Sequence, residues 1–331
     1  MSQTTDTAAH PATPGATGTP AVRATTRLRQ LLAGGRTVFV PGCFNAVSAR
    51  VVEATGFPAV YMTGYGTSVA QLGLPDVGFA TMTEMHTNAR WIANAVSIPV
   101  IADADNGYGN AVNVTRTVRE YIQTGVAAIH LEDQSLPKRC GHVAGRQVIP
   151  LAEAVGKIRA ADAVRRQVDP DFVLIARTDA RGAVGGSLDD AIARVNAYLD
   201  AGADMGFVEG PTSVAEVERI CREVRGPVFY NMTGVSPRFT LQQMNDYGIA
   251  MTITANTLLR TALTAMYDVA VAMRDEGPMA EAALMARIAD HPVGDLHKFS
   301  GLDAIRKLEE AYMPAEELAK YEGTIGYRPR G

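Results

Sequence analysis

Past residue 22 the chain repeats one pattern: an amphipathic stretch that closes on glycine, then a short continuous apolar run. Helical spacing over 48–56, 114–125, 191–202 and 241–248 ends on Gly56, Gly125, Gly202 and Gly248, and these feed apolar runs at 59–62, 126–131, 205–208 and 249–253. Further apolar runs at 37–40, 99–102, 172–176 and 227–230 follow turn-forming residues. Glycine suits a helix end because the position after the last turn favours left-handed backbone. The runs are continuous rather than alternating, as expected of strands covered on both faces. Parallel strands need crossovers, so eight such units predict an α/β fold, a closed (β/α)8 TIM barrel. The alternative is an open doubly wound sheet, but no glycine-rich dinucleotide fingerprint follows the first strand, where the sequence is Pro41-Gly42-Cys43-Phe44-Asn45. The glycines of 182–186 lead into a helix that Ser187 can cap, and no Lys-Ser/Thr follows them to make a phosphate loop.

The pattern divides the chain into three parts. Residues 1–22, rich in Ala, Thr, Pro and Gly, read as a disordered tail without the apolar core of a signal peptide. Residues 23–275 form the barrel. Residues 276–331 change to helices without strands, over 278–289, 301–312 and 315–321. Such an appendix has no place inside its own barrel, so it is expected to pack outside or on a neighbouring subunit.

Composition narrows the function. The chain has 331 residues, 47% hydrophobic and 20% charged, which is ordinary for a globular protein. A net charge of -4 argues against a nucleic-acid partner. Cys43, Cys140 and Cys221 are too widely spaced for a disulfide framework or a zinc site, which fits a reducing cytoplasm. No apolar run approaches the ~20 residues of a membrane helix.

Barrel enzymes carry their chemistry at the carboxyl ends of the strands. Here those ends read Thr63-Gly64-Tyr65-Gly66, Asp103-Ala104-Asp105, Glu132-Asp133, Arg177-Thr178-Asp179, Glu209 and Asn231-Met232-Thr233. Asp103 and Asp105 are two apart, so on extended backbone they point to the same side. With Glu132, and Asp133 beside it, they make a hard-oxygen cluster suited to Mg2+ or Mn2+. Any one of them alone is more simply a solvated or salt-bridged acid. Arg177 presents a planar cation that suits a substrate carboxylate or phosphonate; its structural alternative is an ion pair with Asp179 or Glu209. Cys140 lies in a loop with Lys138, Arg139, Gly141 and His142, a setting expected to lower a thiol's pKa. That thiol suits acid/base work, giving a proton to a carbanion, better than covalent catalysis. His130, inside an apolar run, reads as a hydrogen-bonded core histidine.

Asp103-Ala-Asp-Asn-Gly-Tyr-Gly, Glu132-Asp-Gln, Lys138-Arg-Cys-Gly-His and Ala176-Arg-Thr-Asp-Ala resemble the signatures of the isocitrate lyase/phosphoenolpyruvate mutase superfamily, and Gly73-Leu-Pro-Asp-Val-Gly resembles its gating segment. The resemblance covers roughly Arg27 to Tyr312. It implies a Mg2+-dependent barrel, usually tetrameric, with C-terminal helices exchanged between subunits. It also implies 2-oxo or 2-hydroxy dicarboxylate substrates. By position, Asp103 and Asp105 would hold the metal with Glu132 helping. Thr63, Gly64, Tyr65 and Arg177 would grip the 2-oxo acid half, with Gly64 and Tyr65 offering backbone donors. Glu209, Asn231, Thr233 and Arg260 would contact the departing acid, beside Gly141 and His142. Asp76 would close over the site, and Cys140 would protonate the product carbanion. The catalytic set implied is Cys140, Arg177, Glu132 and Lys138.

The cysteine favours the lyase branch, which includes methylisocitrate lyase, dimethylmalate lyase and oxaloacetate hydrolase. Tyr65 is bulky where methylisocitrate lyases are usually glycine-rich, and Ala255-Asn256 replaces a usually apolar, proline-containing stretch. The activity expected is Mg2+-dependent retro-aldol cleavage of a substituted 2-hydroxy dicarboxylate to pyruvate or a related 2-oxo acid. Oxaloacetate hydrolysis and a carboxyphosphonoenolpyruvate phosphonomutase-like rearrangement are the alternatives within the site. A catalytically silent binding protein on the same barrel is the alternative from outside enzymology.

Overall fold

The computed structural model describes residues 22–326, so the expected tail lies outside the described residues apart from Val22. Eight parallel strands close a barrel in chain order: β1 (Val38–Cys43), β2 (Val60–Met62), β3 (Val100–Asp103), β4 (Ala128–Glu132), β5 (Val173–Thr178), β6 (Met205–Val208), β7 (Val228–Asn231) and β8 (Ile249–Thr254). Closure is made by β1 against β8, with Val38 opposite Met251 and Pro41 opposite Thr254. The doubly wound alternative is thereby removed, since no sheet edge remains.

The helices of this unit are α1 (Ala24–Ala33), α2 (Ala46–Ala54), α3 (Gly64–Thr67), α4 (Met82–Ala95), α5 (Ala111–Gln123), α6 (Leu151–Val168), α7 (Leu188–Asp200), α8 (Val214–Glu223) and α9 (Leu241–Asp246). Local chemistry sets several of their starts. Asn110, Ser187, Ser213 and Thr240 each accept a backbone N–H of the first turn, and Ser187 does so from Asp190 as its position predicts. Helix α1 carries Leu28, wholly buried, into the cluster that fills the barrel interior.

Side chains along each strand alternate between two cores, and this alternation builds the site. Tyr61, Ile101, Ala128, Val173, Ile175, Phe207 and Phe229 pack inside the barrel. Met62, Ala102, Ile129, Leu131, Leu174 and Ala176 pack outward against the helices. Phe207 and Phe229 lie with ring centroids 4.8 Å apart, and burial of each such side chain contributes roughly 1.5–3 kcal/mol. Two residues beyond an interior position the next side chain points into the barrel mouth. Tyr61 is followed in this way by Thr63, Ile101 by Asp103, His130 by Glu132, Ile175 by Arg177, Phe207 by Glu209 and Phe229 by Asn231.

The compact barrel unit runs through Arg260, and a second unit begins at Thr261, inside the 20-residue α10 (Thr257–Glu276). The second unit continues through α11 (Met279–Ile288), α12 (Leu296–Ser300), α13 (Leu302–Tyr312) and α14 (Ala315–Ala319). Among the described residues no helix is long and apolar enough to cross a membrane.

Candidate active site

At the mouth of the barrel Arg177 is the hub. Its Nε lies 2.9 Å from Asp179 Oδ2 and its Nη2 3.1 Å from Asp179 Oδ1. Nη2 also stands 3.3 Å from Glu132 Oε2, and Nη1 3.6 Å from Glu209 Oε2. Burial opposes the guanidinium charge, but Asp179, Glu132 and Glu209 outweigh it and hold the pKa well above the usual arginine value. The same burial pushes the Glu132 carboxyl well above the carboxylate range, against the pull of Arg177. The guanidinium also stacks 5.3 Å from the centre of the Phe207 ring.

A second group adjoins it. Asn231 Nδ2 donates to Glu209 Oε2 at 3.2 Å, and His142 Nε2 lies 3.4 Å from Glu209 Oε1 and 3.5 Å from Asn231 Nδ2. His142 belongs to the thiol loop, so the loop is folded down over the mouth. Gly141 explains how it comes so close. A Cβ there would run into Arg177 Nη2 and the Glu209 side chain.

The loop is held from three sides. Cys140 N–H donates to Asp76 O at 3.0 Å. Lys138 Nζ lies 2.5 Å from both Asp76 Oδ1 and Asp105 Oδ1. The Gln134 carboxamide pairs with both the N–H and the carbonyl of Arg139. Asp76 is thus joined to the thiol loop through both its carboxylate and its backbone carbonyl.

The remaining expected residues divide. Thr63 accepts from Gly66 N–H and donates to Asn256 Oδ1, both at 3.1 Å. Gly64 N–H donates to Asp103 Oδ2 at 3.2 Å, so it orients that acid rather than offering a free donor to substrate. Tyr65 is half-buried beside it. Thr233 Oγ1 accepts from Ala255 N–H at 3.1 Å, a brace between the ends of β7 and β8. Arg260 is exposed on the first turn of α10.

Cys140 was expected to have a lowered pKa; instead burial pushes the thiol up to about 11. The flanking cations do not reach it as free charges: Lys138 is bound by Asp76 and Asp105, Arg139 is exposed, and His142 faces Glu209. Asp105 does not share extended backbone with Asp103, because β3 ends at Asp103 and Asp105 has φ 47°. The two acids meet through Asp105 N–H, which donates to Asp103 Oδ1 at 2.9 Å. Asp133 does not serve with Glu132. It turns away from the mouth and accepts from Thr178 Oγ1 at 2.6 Å, Tyr198 OH at 2.7 Å and Asp179 N–H at 3.0 Å.

The expected metal cluster is likewise not gathered in advance. Among the described residues no group of three or more His, Cys, Asp and Glu side chains stands close enough to hold an ion. The residues fit a hard cation nonetheless. Glu132 Oε1 is a buried oxygen without a hydrogen-bond partner among the described residues, and Asp105 Oδ1 is ion-paired to Lys138 Nζ, with burial pushing the Asp105 carboxyl up to about 6 against the pull of that ammonium. All-oxygen donors of this kind suit Mg2+.

His130 is a core residue, wholly buried, with Nε2 2.8 Å from Tyr61 OH and 3.6 Å from Asp103 Oδ1. Burial lowers its pKa to about 4, so it stays neutral. The ion pair with Asp179 that the sequence offers as Arg177's structural alternative is formed, whereas Arg146 carries no sequence expectation and Gln134 none beyond its place in the Glu132-Asp-Gln signature. Arg146 is buried with Nε 3.8 Å from Asp179 Oδ1. The signal for Asp179 was its spacing, two beyond Arg177 at the same strand end.

The family model described as phosphoenolpyruvate phosphomutase matches residues 28–274. A 2,3-dimethylmalate lyase of Eubacterium barkeri is 43% identical over 290 residues, which are 86% of this chain and 97% of the relative. A chloroplastic carboxyvinyl-carboxyphosphonate phosphorylmutase of Arabidopsis thaliana is 43% identical over 263 residues, 78% of this chain and 77% of the relative. The solved structure of oxaloacetate acetylhydrolase with 3,3-difluorooxalacetate aligns with a TM-score of 0.79 and 36% identity, covering 87% of this chain and 96% of that one. Matched across the barrel and nearly end to end by such relatives, this protein belongs to the phosphoenolpyruvate mutase/isocitrate lyase superfamily of enzymes.

Proposed function

We propose that the protein is a Mg2+-dependent carbon–carbon lyase that cleaves a substituted 2-hydroxy dicarboxylate, of the dialkylmalate or methylisocitrate kind, into pyruvate or a related 2-oxo acid and a second carboxylic acid. The observation that carries the reading is a thiol loop folded over the barrel mouth, with Cys140 partly buried in it and its pKa raised by that burial. Cys140, with its pKa near 11, closes over a mouth lined by Glu132, Arg177, Glu209 and Asn231.

Asp103 and Asp105, with Glu132, would hold Mg2+. When bound, the ion supplies positive charge that stabilises negative charge developing on substrate oxygen. Arg177, aimed by Asp179, binds the carboxylate of the 2-oxo acid half. The 2-hydroxyl proton leaves to a carboxylate of the cluster. The bond to the neighbouring carbon breaks, and the electron pair stays on that carbon, next to the second carboxylate. Glu209, Asn231 and His142 orient this departing half. Cys140 gives its proton to the carbanion, and the folded loop keeps water from doing so at random.

The test is incubation with a panel of substituted malates and Mg2+, with pyruvate read through lactate dehydrogenase. Pyruvate release lost on chelation and on Cys140→Ser supports the reading, and full activity of Cys140→Ser overturns it. Oxaloacetate hydrolysis is the second reading, favoured by the 36% identity to the acetylhydrolase. Release of oxalate from oxaloacetate would select it.

The active form is proposed to be a homo-oligomer. Leu263, Met266, Tyr267, Met273 and Met279 leave much apolar surface exposed along α10 and the start of α11. Light scattering at the mass of a single chain would exclude this.

A further inference from the structure

Gln134 is almost wholly buried, one residue past Asp133, and its side chain faces the thiol loop. Nε2 donates to Arg139 O at 2.7 Å, and Oε1 accepts from Arg139 N–H at 2.9 Å. One carboxamide thus pairs with both polar groups of the residue before Cys140, as a neighbouring strand would. The backbone of Gln134 is fixed as well. It bridges Val148 in antiparallel fashion, and its carbonyl accepts from Asn106 Nδ2 at 3.2 Å. Asn106 is in turn held through its carbonyl by Lys157 Nζ at 3.0 Å. Gln134 therefore connects the turn carrying Asp105 to the loop carrying Cys140.

We propose that Gln134 is a positioning residue: its carboxamide latches the thiol loop in the closed state, and so places Cys140 over the substrate. This rests on the lyase reading insofar as it concerns turnover, but the latch itself concerns loop order alone. Neither hydrogen bond replaces one that a regular element would make, so removing both shifts the loop toward open forms. Two lost hydrogen bonds raise the open population by about ten- to hundredfold.

Gln134→Met keeps volume and removes both bonds. Gln134→Glu keeps the acceptor for Arg139 N–H but sets a carboxylate oxygen against the Arg139 carbonyl, so it does not rescue. The readout is the rate of iodoacetamide alkylation at Cys140, located by peptide mass mapping, together with kcat on the best malate of the panel. The latch predicts alkylation faster by about tenfold or more in both variants, with kcat falling by a similar factor and the thermal midpoint little changed. Wild-type alkylation in both variants overturns it, whatever happens to kcat, because a role in packing alone would leave the loop closed. Should Gln134→Met fail to fold, Gln134→Glu decides by the same two numbers. If Cys140→Ser proves fully active, the lyase mechanism falls while the alkylation result still judges the latch.

Discussion

Arg177 and Asp179 face one another fork to fork where β5 runs out, with contacts of 2.9 and 3.1 Å, and Asp179 is wholly buried. The pair leaves Nη1 and part of Nη2 for Glu132, Glu209 and substrate. Removing Asp179 deprives a buried cation of its nearest partner, though two carboxylates remain. Asp179→Ala is expected to cost about 2–4 kcal/mol in urea unfolding. Arg177→Lys keeps the charge but cannot make the fork, and kcat/KM is expected to fall by more than about tenfold with the fold retained. Wild-type turnover in Arg177→Lys would show that the fork is not used.

Glu132 and Asp133 are neighbours with opposite expected phenotypes. Glu132→Gln should abolish turnover and leave the unfolding midpoint near wild type. Asp133→Ala strips the acceptor from Thr178, Tyr198 and the Asp179 N–H, and is expected to cost about 3 kcal/mol while the folded fraction still turns over. Activity per folded molecule, set beside circular-dichroism melts, separates the two.

The pH dependence of Cys140 follows from its raised pKa. The folded state favours the neutral thiol, so ionisation is deferred from the ordinary value of 9.0 to about 11. Alkylation of Cys140 should then climb about tenfold per pH unit from 7 to 10 without levelling. Its contribution to stability has the matching sign: fully present below pH 9, and lost as pH rises toward 11. A plateau in alkylation below pH 8 would mean a resident thiolate and rule out the acid role.

Gly141→Ala is a small change at a tight place. Its Cβ meets the Arg177 guanidinium and the Glu209 side chain, so the loop cannot come down fully. Loss of activity by about a hundredfold with near-wild-type stability is expected, since the loop is a surface element and its displacement leaves the barrel core intact. Activity within twofold of wild type would show that closure tolerates the methyl group.

Metal binding should stabilise the fold through linkage. At about 100 times its dissociation constant Mg2+ adds about 2.7 kcal/mol, visible as a rise in thermal midpoint without any substrate. Asp105→Asn should remove most of that rise. An unchanged midpoint in the wild-type protein across millimolar Mg2+ would argue against the proposed ligand set.

Much of this was readable from the chain. The strand runs at 205–208 and 249–253 agree with β6 and β8 to within one residue, because a strand buried on both faces leaves an uninterrupted apolar signature. Helices α1, α4, α6 and α8 were not singled out; α6 has apolar residues spread over several faces, so its periodicity is weak. Thr63, Asp103, Glu132, Arg177, Glu209 and Asn231 were found by position alone, as polar residues where apolar runs stop. The Gln134 latch left no such mark, since a glutamine two residues past a strand looks like any loop residue.

The barrel, its strand tips and the groups available there could be read along the chain, because periodicity and glycine placement act over a few residues at a time. The state of those groups came from the folded arrangement. It set Lys138 between Asp76 and Asp105, turned Asp133 to Tyr198, and by partial burial pushed the Cys140 thiol up rather than down. Charge and protonation depend on distance and burial across segments far apart in the chain, and those quantities exist only once the barrel has closed.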